Sequence, residues 1–144
     1  MSNEIVSQLD VADYLKSTIS ADEHFYYRPN QGNAGDALMA TATFDMFDSL
    51  GLAYTAIFQE RANEDFSRRV LVLGGGGNFN ESGYNRYAEI VSRWHQKVKR
   101  LVILPHTVSG NEMLLSSLGN NVDIICREQN SYDHVKKHAR HANV

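Results

Sequence analysis

Apolar positions Ile5, Leu9, Ala12, Leu15 and Ile19 recur at helical spacing, so the chain opens on a predicted helix. His24 to Arg28, dense in aromatic residues, reads as a first strand. Pro29 to Gly35 is a run of turn formers, after which Asp36 is placed to cap a second helix. That helix would turn Met39, Ala42, Met46, Phe47 and Leu50 inward and stop at Gly51. Leu52 to Phe58 gives a second strand and Gln59 to Arg69 a polar connection. Val70 to Leu73, continuously apolar, reads as a third strand buried on both faces. Tyr84, Tyr87, Ala88, Val91, Trp94, His95 and Val98 trace an amphipathic helix. Leu101 to Leu104 is the fourth strand, ended by Pro105-His106-Thr107. A short helix carries Met113, Leu114, Leu115 and Leu118, Val122 to Cys126 forms the fifth strand, and a mostly polar helix follows Arg127.

Strands alternating with helices predict an α/β fold: a Rossmann-like open parallel sheet of about five strands with helices on both faces. The unusual loops, Asn33-Ala34-Gly35-Asp36, Gly74 to Asn78, Pro105-His106-Thr107 and Arg127-Glu128, all follow strands. In such sheets ligands settle beyond the carboxyl ends of the strands. The four loops are therefore expected at one rim.

Composition narrows the partners. With 144 residues, 42% of them hydrophobic, the chain suits one packed domain. A net charge of −3 argues against a broad nucleic-acid surface. Cys126 is the only cysteine, which excludes an intrachain disulfide and suits a reducing compartment. Met1 to Asp10 does not resemble a secretory signal, and no apolar run is long enough to span a bilayer. A soluble, cytoplasmic protein is expected, with peripheral membrane contact left open.

Several residues at the expected rim have chemistry to offer. Gly32 and Gly35 precede a helix N-terminus, where free amides and the helix dipole favour an anion. Asn33 and Gly35 would line that turn, and Asp36 either caps the helix or accepts a proton from a sugar hydroxyl. The spacing is neither a P-loop nor the dinucleotide fingerprint. Gly74, Gly75, Gly76 and Gly77 either relieve a tight turn or let backbone amides approach a ligand where a Cβ would clash. Asn78 offers an amide to a hydroxyl or phosphate. His106, just past a strand end, can exchange a proton near neutral pH or merely bond a loop. Arg127 has the fork that suits phosphate or carboxylate, unless it pairs with Glu128 or Asp123. Ser131 and Tyr132, one helical turn on, either offer hydroxyls to the same site or simply pack. His134, His138 and His141 share helical spacing, but the sequence shows no carboxylate or thiolate partner that completes a metal site.

Taken together, Asn33-Ala34-Gly35-Asp36, Gly74-Gly75-Gly76-Gly77-Asn78, Leu104-Pro105-His106-Thr107-Val108 and Arg127-Glu128-Gln129-Asn130-Ser131 resemble the polysaccharide pyruvyl transferase family. The resemblance runs from about His24 to the end. It implies transfer of pyruvyl from phosphoenolpyruvate to a glycan or lipid-linked sugar, forming a ketal in exopolysaccharide synthesis, with no cofactor and no metal. It implies catalytic roles for Asp36, His106 and Arg127. Asn33, Gly35, the four glycines, Asn78, Thr107, Glu128 and Ser131 would bind substrate. Family members resemble two-lobed glycosyltransferase-B proteins, and only N-terminal-lobe motifs occur here. Residues 1–144 are thus expected to form one lobe of a larger enzyme. A fragment, a split subunit or a truncated product would each fit that expectation. The alternatives are a lobe that binds a sugar or nucleotide-sugar without turnover, or a glycosyltransferase-like enzyme.

Overall fold

The computed structural model describes residues 10–59 and 64–144. Ile5, Leu9 and part of the polar connection after the second strand lie outside that range. The elements run α1 (Val11–Thr18), β1 (Phe25–Arg28), α2 (Ala34–Ser49), β2 (Tyr54–Ala56), β3 (Val70–Leu73) and β4 (Gly76–Asn80). They continue as α3 (Arg86–Trp94), β5 (Arg100–Ser109), α4 (Glu112–Ser117), β6 (Val122–Cys126) and α5 (Gln129–His138). All strand pairs are parallel, as the alternating pattern predicts.

The order across the sheet is β2-β1-β3-β5, with β6 on the far side of β5. The extra strand, β4, starts inside the glycine run. Leu73 pairs with Ile103 and Gly76 with His106, so the register is unbroken across Gly74 and Gly75. β3 and β4 are one long strand along β5, interrupted by two glycines. Counted so, the order is 2-1-3-4-5, with the topological switch between β1 and β3.

Side-chain alternation divides the core into two layers. Val70, Val72, Val102 and Leu104 pack with Leu15 and Ile19 of the first helical region and Phe47 of α2. Leu71, Leu73, Leu101 and Ile103 meet Tyr87, Val91, Leu115, Leu118 and Val135 from α3, α4 and α5. Helices therefore cover both faces. On α2 the buried anchor is Phe47, whose ring meets Phe25, Tyr27 and Tyr54 edge-on at 5.0–5.2 Å. Ala42, expected inward, is exposed, and so is Leu38. Gly51 does terminate α2, with φ +65°, a conformation that favours glycine. Among the described residues no helix is long and apolar enough to cross a membrane.

Candidate active site

The switch point lies where the chain leaves β1 for α2 and where β3 runs into the glycines. α2 begins with a reciprocal cap. Asn33 Oδ1 accepts from Asp36 N at 3.1 Å, and Asp36 Oδ2 accepts from Asn33 N at 3.0 Å. The N-cap is thus Asn33 rather than Asp36, which occupies the third helical position. Asp36 Oδ1 faces Asn30 Nδ2 at 3.4 Å, and the same amide lies 3.3 Å from the Gly75 carbonyl. Asn78 Nδ2 donates to Asn30 Oδ1 at 2.6 Å. Asn30, 6% exposed, thereby ties the β1 loop to the glycine strand.

The glycines divide by environment. A Cβ on Gly74 would lie 2.7 Å from Asn30 N, one on Gly75 2.7 Å from the Pro105 carbonyl oxygen, and one on Gly76 2.1 Å from Asn30 Nδ2. Gly76 also has φ +154°. Gly74 and Gly75 are needed by backbone packing, and Gly76 by its φ and by the Asn30 side chain. Gly77 alone among the four would project a Cβ into open space. Gly35 has only Asn33 Oδ1 nearby, at 3.1 Å.

His106 lies within β5, not beyond its end, and is fully buried. Strict alternation would put it on the same face as Val102 and Leu104. A register irregularity between Ile103 and His106, at Pro105, reverses the parity and turns His106 and Val108 toward α3. There its ring stacks on Tyr87 at 4.4 Å, and its Nε2 accepts the Asn78 N–H at 3.0 Å. The ring proton therefore resides on Nδ1, which has no hydrogen bond of good geometry. Burial, and then the Arg127 charge, push the His106 pKa down to about 4. At neutral pH the ring is an uncharged acceptor. Burial raises the Tyr87 phenol, which stays protonated and donates to the Gly74 carbonyl at 2.6 Å.

On the other side of β5, Arg127 N–H donates to the His106 carbonyl at 3.1 Å. Gly76, His106 and Cys126 are register neighbours, so the glycines and Arg127 occupy the same end of the sheet. Two strand spacings, about 10 Å, separate their backbones. The Arg127 side chain is half exposed and meets Glu128 at 3.6 Å, a contact too long and too wet to hold it firmly. Asp123 is engaged elsewhere, by Arg100 at 2.6 Å. Glu128 accepts from Thr107 Oγ1 at 3.0 Å and from the Ser131 hydroxyl, which itself accepts the Val108 N–H at 2.8 Å. Ser131 is thus a buried link between α5 and β5. Burial, then Glu128, push the Cys126 thiol up to about 12, which makes it inert.

The rim therefore holds two polar groups joined through His106. One is the hydrogen-bonded cluster of Asn30, Asp36 and Gly74 to Asn78. The other is the α5 entrance with Thr107, Arg127, Glu128 and Ser131. A family model for polysaccharide pyruvyl transferases matches residues 33–144, spanning both groups. This chain belongs to the polysaccharide pyruvyl transferase family. The chain is similar over 92% of its length, with a TM-score of 0.78 and 28% identity, to a functionally uncharacterised protein of Klebsiella pneumoniae subsp. pneumoniae NTUH-K2044. It spans about half, 52%, of that protein's chain. No curated protein matches this sequence.

Sequence reasoning passed over Arg28, Asn30, Arg86 and Tyr87. Arg28 and Arg86 line a small recess with Asn30 and Tyr87 beside the glycine strand. Arg28 was legible as the last residue of a strand that points to the rim. Asn30 looked like one more turn residue, and Tyr87 like one more core aromatic of an amphipathic helix.

Proposed function

We propose that this chain forms the N-terminal lobe of a pyruvyl transferase that moves pyruvyl from phosphoenolpyruvate to a sugar diol. The reading rests on one observation above all. Half-exposed Arg127, at the sheet end shared with the glycines, stands across β5 from the cluster of Asn30, Asp36 and Asn78. Its guanidinium takes the phosphate or carboxylate of phosphoenolpyruvate, exchanging a loose contact with Glu128 for a charge-assisted pair. The methylene carbon gains a proton, and the central carbon develops oxocarbenium character. One sugar hydroxyl adds there and phosphate departs. A second hydroxyl closes the ketal. Of the two hydroxyl protons, one balances the new methyl group and the other leaves with phosphate. Asp36 Oδ1, which meets Asn30 Nδ2 only at a long 3.4 Å among the described residues, accepts a hydroxyl proton in this scheme. His106 acts as a positioning residue, since its neutral ring fixes the Asn78 amide.

A second lobe is supported by a further feature. Leu38, Tyr84 and Met113 are 72%, 81% and 87% exposed. They follow β1, β4 and β5 in a parallel sheet, so all three fringe the same end. Apolar residues around a polar rim are what a covering lobe would bury. The acceptor would belong to exopolysaccharide synthesis.

The test is calorimetric titration of the chain with phosphoenolpyruvate, followed by phosphate release with an acceptor glycan when the second lobe is supplied. Saturable binding abolished by Arg127→Ala is expected. Unchanged phosphate release in that variant would remove Arg127 from the mechanism. Binding of a nucleotide-sugar in competition with nucleoside diphosphate, with no response to phosphoenolpyruvate, would favour the glycosyltransferase-like alternative.

A further inference from the structure

The sequence pattern leaves His134, His138 and His141 without a carboxylate to complete a metal site, and the tertiary structure supplies one. α4 opens with Glu112, and α5 carries His134 and His138 one turn apart. One ligand atom from each of Glu112, His134 and His138 lies within 4.8 Å of the other two. The two imidazoles are 4.9 Å apart between centroids. Glu112 is exposed and both histidines are half-buried, so an ion can enter from solvent. His141 lies past the end of α5 and does not join the group.

A second observation concerns the orientation of one imidazole. His134 Nε2 lies 2.8 Å from the Gly110 carbonyl oxygen. A carbonyl only accepts, so this contact puts the ring proton on Nε2 and leaves the Nδ1 lone pair free to bind. Metal-ligating histidines are oriented in this way, by donation from their other nitrogen to a carbonyl or carboxylate. Gly110, with φ +65°, and Asn111, with φ 58°, form the sharp turn that delivers both this carbonyl and Glu112.

We propose that Glu112, His134 and His138 bind a divalent transition-metal ion of the zinc class. Two neutral imidazoles and one carboxylate suit such an ion, whereas magnesium and calcium favour oxygen donors throughout. Three protein ligands leave a fourth position for water or an incoming anion. The ion would tie the start of α4 to α5, two elements otherwise joined along the chain through β6.

The experiment uses the full chain stripped with a chelator. It is titrated with Zn²⁺ by calorimetry and with Co²⁺ by visible absorption, and its unfolding midpoint is followed with and without Zn²⁺. One ion per chain and a raised midpoint are expected, because binding to the folded state alone stabilises it. His134→Ala also loses the Gly110 contact, so Glu112→Gln and His138→Gln carry the decision. Each should weaken Zn²⁺ at least about tenfold and remove the midpoint shift. His141→Gln should retain both. Absence of saturable binding below about 1 mM, or unchanged affinity in Glu112→Gln and His138→Gln, would overturn the site.

Discussion

The two halves of β5 belong to one strand yet live in different surroundings. Leu101 to Leu104 are buried and apolar on both faces, between β3 and β6. The end of the sheet where that half begins carries a buried charge with its partners in place. Asp123, 3% exposed, accepts from Arg100 at 2.6 Å, from Asn143 Nδ2 at 2.7 Å and from the Tyr14 hydroxyl. Burial and then Asp123 raise the Tyr14 phenol, so it remains a donor. The second half, Pro105 to Ser109, runs beside the glycine strand and contains a buried histidine whose Nδ1 makes no hydrogen bond of good geometry. The Asp123 cluster is satisfied and serves stability. The second half leaves Nδ1 of a buried ring without a well-formed hydrogen bond, beside the rim proposed to bind substrate.

The largest effect should come from the satisfied end. Asp123→Ala leaves three donors without their acceptor and should cost about 4 kcal/mol in chemical denaturation. The phosphoenolpyruvate binding proposed above should be unchanged in whatever fraction stays folded. A loss below about 1 kcal/mol would mean that this cluster is not the anchor described.

Next comes the pH response of His106. Its folded pKa of about 4 lies below the ordinary histidine value, so the unfolded chain binds the extra proton first. Stability is therefore full above pH about 6.5 and falls as pH drops toward about 4, with no further loss from this group below that. The window corresponds to about 3 kcal/mol, an order-of-magnitude figure. Buried His95, whose pKa burial also lowers, adds a loss of the same sign. His106→Gln keeps an acceptor for Asn78 and retains the His95 component, so its stability should slope less steeply than the parent's across this range. Parallel curves for the two proteins would contradict the buried neutral ring.

The glycines allow a sharper contrast within four residues. Gly76→Ala meets Asn30 Nδ2 at 2.1 Å and a strained φ, and should destabilise by about 2–3 kcal/mol. Gly77→Ala meets nothing and should stay within about 0.5 kcal/mol. If Gly77→Ala nonetheless weakens phosphoenolpyruvate or acceptor binding, the open side of that residue faces the ligand. Arg127→Ala should change stability as little, within about 0.5 kcal/mol, because its contact with Glu128 is long and solvated. Its effect should appear in ligand titration alone.

Much of the fold was legible because it depends on short-range periodicity. The helix through Tyr87, Val91 and Trp94 announced itself by spacing, and Val70 to Leu73 by an unbroken apolar run. Errors arose where the local signal had two meanings. Asn33 and Asp36 are both good capping residues, and only the reciprocal geometry distinguishes cap from third position. Four glycines after a strand read as a loop, whereas pairing with β5 carries the strand through them. Pro105 read as a terminator, yet here it marks an irregularity inside a strand that continues to Ser109.

Residue chemistry in sequence order was enough to determine the alternating parallel architecture, the family, and the set of polar loops that follow its strands. Those features are written in spacing and composition over ten or twenty residues, where local geometry governs. Tertiary structure alone decided which way His106 faces, that its ring is buried and uncharged at neutral pH, and that Glu112 lies beside His134 and His138. Each depends on how a strand's register shifts or how two helices dock. Such outcomes are fixed by packing between segments far apart in the chain, which no local pattern encodes.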